Sequence, residues 1–140
     1  MRLFGGMKDT MKKSEAAVIV QNLLEIQGKR GLFNGNAGDL ANTIVGATWD
    51  EKPHLFNGTR AERPHKLSLA AISLAHFCRT HPTDSQRDVL LMSLGMVLEE
   101  ALHNGRKYGF TQVDSGFFNG AVAILSTFND QLNSDPEIGA

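Results

Sequence analysis

The chain has 140 residues, of which 41% are hydrophobic and 21% charged, with a formal net charge of −1. That balance excludes a disordered, charge-extended chain, and it offers no basic field of the kind that general DNA or RNA binding requires. A chain of this length can bury about two-thirds of its unfolded surface, enough for one core, so a single domain over residues 1–140 is expected.

Charge is uneven at the two ends. Arg2, Lys8, Lys12 and Lys13 make residues 1–13 a basic stretch, and Asp130, Asp135 and Glu137 make the other end acidic. Residues 1–13 and 134–140 therefore read as solvated, flexible ends. The opening MRLFGGM lacks the apolar run of a signal peptide, and Arg2 stands where myristoylation needs a glycine. No apolar stretch approaches the roughly 20 residues that span a bilayer, so no membrane insertion is expected. A lone cysteine, Cys78, can form neither an internal disulfide nor a sulfur-ligated zinc site. The expected location is the cytoplasm.

Ala16, Ile19, Val20, Leu23 and Leu24 follow the spacing of an amphipathic helix. Ser14 is the favoured start, with Asp9 or Thr10 as the alternative, and Gly28 the expected stop. Residues 28–36, GKRGLFNGN, read as a loop. Ala37, Leu40, Ala41, Ile44, Val45 and Thr48 predict a second helix capped by Asn36, although the β-branched Thr43, Ile44 and Val45 before Gly46 leave a short strand as the alternative. From Trp49 to His65 the pattern breaks at Pro53, Asn57-Gly58 and Pro64. Two near-repeats, EKPH with ERPH and LFNG with LFNG, are too short to signal a solenoid.

Leu67 to Cys78 is apolar on nearly every side, the mark of a buried helix, and His81-Pro82 ends it. Thr83-Asp84-Ser85-Gln86 has capping-box spacing for a fourth helix running to Asn104-Gly105, with the glycine just past its end. A last helix is expected from Asp114 or Ser115, with Phe118, Ala121, Val122, Leu125, Phe128 and Leu132 on one stripe and a stop between Asn133 and Pro136. The fold class is all-α: a compact bundle of four to five helices around a central antiparallel helical hairpin.

Few residues carry chemistry. Cys78 has His76 and His81 nearby, but the two histidines lie on other faces or at the helix end, so a structural cysteine is the favoured reading. The glycines of residues 28–38 precede a helix without P-loop or dinucleotide spacing, and they read as turn formers. His54, Arg60, Arg63, His65 and Lys66 could hold an anion, against the favoured reading of a solvated loop. Glu100-Ala101-Leu102-His103 has the Glu-x-x-His spacing of carboxylate-bridged metal bundles, but in a single copy.

Two site hypotheses follow. If the third and fourth helices form a hairpin, His65 approaches Glu99, Glu100 and His103, a candidate zinc or iron set that His54 could extend. The bland reading is a solvated helix end with an ordinary Glu99 and His103 pair one turn apart. The other hypothesis concerns the fourth helix, whose core face is read as Leu91, Leu94, Leu98, Ala101 and Leu102. Val89, Met92 and Met96 then form a second apolar stripe, which must meet the first or last helix or a partner chain, a homodimer included. The sequence offers no complete catalytic constellation and no cofactor is expected. The favoured function is a non-enzymatic protein-interaction or self-associating module; the alternative is a small-molecule or metal-binding domain, an enzyme included.

Overall fold

The computed structural model describes the backbone of residues 2–52 and 63–133, and the side chains of residues 15–52 and 66–128. Among the described residues there are five helices and no strand: α1 (Arg2–Lys29), α2 (Ala37–Glu51), α3 (Arg63–Thr80), α4 (Arg87–Tyr108) and α5 (Gln112–Asn133). The chain is thus an all-α compact bundle.

Helix α3 is its axis. From Leu67 to Cys78 every residue is buried except the half-buried Ile72, and α3 packs against each of the other four helices. Ser68, Ala70, Ala71, Ser73 and Ala75 present little bulk, which lets neighbours approach on several sides. The Ser73 hydroxyl donates to the Leu69 carbonyl at 2.8 Å, so its burial leaves no donor unpaired. Leu67 lines one groove with Val97 and Glu100 and α3 packs along α4, which places the start of α3 near the end of α4 and makes the pair an antiparallel hairpin. Gly120 of α5 faces Ile72, while Ile124 and Phe128 lie beside Arg79, so α5 runs parallel to α3.

Helix ends depart from the sequence reading in instructive ways. The backbone of α1 is helical from Arg2, not from Ser14; extending a helix one residue costs far less than nucleating one, and Met7, Lys8, Met11, Lys12 and Lys13 are good helix formers. Gly28 does not stop it. The terminal position belongs to Gly31, at φ 76°: its N–H donates to Gly28 and that of Leu32 to Gln27, at 3.0 and 2.8 Å, a Schellman closure. Helix α2 begins as expected, with the Asn36 side chain accepting from the Asp39 N–H, and continues through Trp49 to Glu51. The strand alternative for Thr43 to Val45 is not adopted, because Ile44 and Val45 bury fully at helical spacing.

The capping box expected at Thr83 and Gln86 is absent. Asp84 accepts from the Gln86 N–H at 2.7 Å, so its short carboxylate closes a local turn before Gln86 can reach back, and Gln86 caps α4 without a side-chain bond. At the other end, Gly105 is a buried residue inside α4, and Gly109, at φ 85°, takes the terminal position. Helix α5 begins at Gln112, ahead of Asp114. The Thr111 hydroxyl accepts from the Asp114 N–H at 3.1 Å, and the Asp114 carboxylate accepts from the Thr111 N–H at 3.4 Å. This is the reciprocal box with aspartate in the glutamate place.

The faces also differ. On α4 the buried residues are Leu90, Ser93, Leu94, Val97, Leu98, Ala101, Asn104 and Gly105. Leu91 is only half-buried and Leu102 is exposed, because α4 packs against α1 as well as α3 and its buried arc turns toward both. On α5, Ala121 and Phe128 are buried, Phe118 and Leu125 half-buried and Val122 exposed; the Leu132 side chain lies outside the described residues.

Two glycines of α4 test the packing in opposite directions. A Cβ on Gly105 would lie 2.4 Å from the Phe110 ring, which Phe118 holds at a centroid distance of 5.5 Å. Gly95 has nothing within 4 Å of such an atom. Gly95→Ala should therefore raise stability by about 0.5–1 kcal/mol through helix propensity. Gly105→Ala should lower it by about 1–2 kcal/mol, the overpacking cost exceeding the same gain. Urea unfolding of both variants beside the parent chain reads the two signs.

Candidate functional site

A groove runs along the seam between α1 and α4. Arg30 lies against Met92, with Nη1 3.9 Å from the sulfur. One turn further along, the fully buried Gln27 donates through Nε2 to the Met96 sulfur at 3.0 Å. Ile19, Asn22, Leu23 and Ile26 then line a groove of about 350 Å³ with Met96, Val97, Leu67 and Glu100. Residue numbers rise on α1 as they fall on α4, so the two helices are antiparallel. The stripe read from the sequence thus divides. Met96 is half-covered by α1, Val89 packs against the core, and Met92 stays 40% exposed against Arg30, while Ile26 on α1 is 39% exposed.

The metal candidates are distributed differently. Glu99, Glu100 and His103 are exposed near the C-terminal end of α4, and the Asn104 amide donates to the Glu100 carbonyl and carboxylate at 3.0 and 3.2 Å. Among the described residues, no group of three or more His, Cys, Asp or Glu side chains is arranged to hold a metal ion. The His65 side chain and all of His54 lie outside the described residues. So do Arg60 and the Arg63 side chain; of the basic loop cluster, Lys66 is described, and its ammonium meets Glu15 at 3.4 Å. The glycine-rich loop is built for packing: Phe33 is buried, and Gly35 leaves room for its ring, which a Cβ would meet at 2.8 Å. Asp39 in the first turn of α2 sets a negative charge where an anion would bind.

Cys78 is buried, and burial, reinforced by the negative charge of Asp84, pushes its thiol from 9.0 to about 12, with Arg87 opposing more weakly. Such a thiol is protonated at neutral pH and is no nucleophile.

One polar chain was not visible in the sequence. His76 is 5% exposed, and its Nε2 lies 2.7 Å from the Glu51 carboxylate at the end of α2. Its Nδ1 lies 3.1 Å from Arg79 Nη2 one turn away on α3. A guanidinium can only donate, so Nδ1 accepts, and the ring proton sits on Nε2 and is donated to Glu51. His76 appears in the sequence only as a neighbour of Cys78; its partner is 25 positions earlier, at no recognisable spacing. His81 does not join this chain. It stacks on Phe77 at 4.1 Å and closes the end of α3 against the Phe77 carbonyl.

Arg79, at the exposed end of that chain, also borders a second groove of about 380 Å³ between α3 and α5, lined with Pro82, Ala123, Ile124, Thr127 and Phe128.

The thiol carries a pH prediction. A folded-state pKa raised above the unfolded one means that the unfolded chain releases its proton first, so stability is retained below pH 9.0 and falls as pH rises toward about 12. The contribution is up to about 1.4 kcal/mol per pH unit within that window. Cys78→Ala should flatten the alkaline stability slope relative to the parent, measured by denaturant unfolding at a series of alkaline pH values. In the parent, a chromogenic disulfide reagent at neutral pH should react only after denaturant is added.

Comparison with family models, with curated proteins and with solved structures finds no match to this chain.

Proposed function

We propose that this chain is a non-enzymatic helical interaction module that pairs with a second copy of itself through the α1/α4 seam. The observation that carries the reading is the apolar, half-open groove on that seam, where the exposed Ile26 lies with Leu23 and Met96, together with the exposed Met92 next to Arg30 on the same seam. Methionine adapts to a partner surface at little rotameric strain, and contiguous exposed apolar side chains mark association sites.

Charge supports a second copy as the occupant. Arg30 stands at one end of the seam and Glu100 at the other. Two copies related by a two-fold axis and laid antiparallel across the groove set the Arg30 end of each against the Glu100 end of the other, which is the self-complementarity an isologous interface requires. A parallel arrangement would oppose like charges. The groove floor gives the association its apolar core and the two ends give it direction.

Sedimentation velocity over a micromolar to sub-millimolar range should show a monomer–dimer equilibrium. Ile26→Lys with Met92→Lys should leave a folded monomer, since both side chains are already about two-fifths exposed. Arg30→Glu alone should weaken the dimer at least about tenfold, and adding Glu100→Arg in the same chain should restore it, because the swap recreates each pair in reverse. A parent chain that stays monomeric throughout, or a dimer indifferent to these four substitutions, overturns the reading.

A further inference from the structure

We propose that the groove between α3 and α5 is a binding site for a small monocarboxylate with an apolar body, and that Arg79 is the group that recognises the carboxylate. The inference is independent of the self-association reading, since it concerns other helices and other residues.

Three observations carry it. The groove volume of about 380 Å³ falls at the small end of the range for ligand sites, about 300–1,000 Å³. Its walls are apolar: Pro82 at the end of the α3–α4 connection, and Ala123, Ile124 and Phe128 on successive turns of α5. The charged side chain among its lining residues is Arg79, and that guanidinium is held from behind. It donates one N–H to Nδ1 of the buried His76, whose Nε2 proton goes to Glu51. An exposed arginine is ordinarily free to sample many rotamers, and each must be given up on binding. Here α2 and α3 together restrict Arg79 at the mouth of an apolar groove before any ligand arrives, with its remaining donors unspent on His76.

The chemistry of the occupant follows from that arrangement. A guanidinium presents paired N–H donors that match the two oxygens of a carboxylate. The Glu51 carboxylate behind His76 partly offsets the positive charge, which suits a single negative charge better than the two of a phosphate monoester. Thr127 donates its hydroxyl proton to the Ala123 carbonyl at 3.0 Å and so offers the groove an acceptor, not a second donor for an anion. The body of the ligand then lies along Ile124 and Phe128, where burial of apolar area provides the affinity and the arginine fixes the orientation.

The test uses the full chain labelled with nitrogen-15 and 4-phenylbutyrate as probe, with 4-phenylbutyramide as its uncharged isostere. Saturable amide shifts should appear at Arg79, Ala123, Ile124, Thr127 and Phe128 with the carboxylate, and the amide should bind at least about tenfold more weakly. Arg79→Gln should reduce carboxylate affinity to that of the amide without changing the helical circular dichroism, because the side chain lies at the surface. Ala123→Leu, an exposed position on the groove wall, keeps the guanidinium and fills the groove, and it should abolish binding of both probes. Absence of saturable shifts, equal binding of acid and amide, or a full-affinity Arg79→Gln chain would overturn the proposal.

Discussion

The structure depends on the burial of one helix on all its sides. Between Leu67 and Cys78, α3 gives up every side chain but a half-exposed Ile72 to neighbouring helices, and it packs against all four of the others. A central helix surrounded in this way must be apolar throughout and must also be narrow, because four neighbours cannot all approach a helix lined with large side chains. The alternation of Leu69 and Leu74 with Ala70, Ala71, Ser73 and Ala75 meets both conditions. Truncating a buried leucine here removes packing for more than one neighbour at once.

The polar groups that accompany this burial are what give the molecule its local character. Among the described residues His76 is the one buried histidine, and it is tolerated because both ring nitrogens are satisfied, one by α2 through Glu51 and one by its own helix through Arg79. That arrangement ties the end of α2 to the axis and fixes a guanidinium beside α5. Gln27 performs a similar role on the other side: fully buried, it donates to Met96 and accepts from Arg30 at 3.4 Å, joining α1 to α4. In both places a buried polar side chain orients an arginine at the margin of an apolar groove. The two proposed binding surfaces therefore rest on the same device, used once between α1 and α4 and once between α3 and α5.

The helix ends show how much depends on which of several local signals wins. Gly28 and Gly31 were both available to end α1, and Gly105 and Gly109 to end α4. In each case the later glycine takes the positive-φ position, while Gly105 is reserved for the ring of Phe110. A glycine in sequence signals either freedom of φ or absence of bulk, and only the neighbour packed against it distinguishes the two.

By itself the sequence determined the fold class, four of the five helices with the second favoured over a short strand, the buried character of Leu67 to Cys78, the hairpin that follows, the Asn36 cap and the structural nature of Cys78, because these follow from periodicity, capping chemistry and composition acting within a few turns. The tertiary structure decided the rest. It turned the buried arc of α4 away from Leu102 and toward Val97, since a helix with several neighbours buries a direction that neither periodicity nor hydrophobicity encodes. It divided the Val89, Met92 and Met96 stripe by laying α1 across Met96. And it joined Glu51, His76 and Arg79 into one chain beside α5, a contact between residues on different helices whose spacing along the chain carries no signal until the bundle closes.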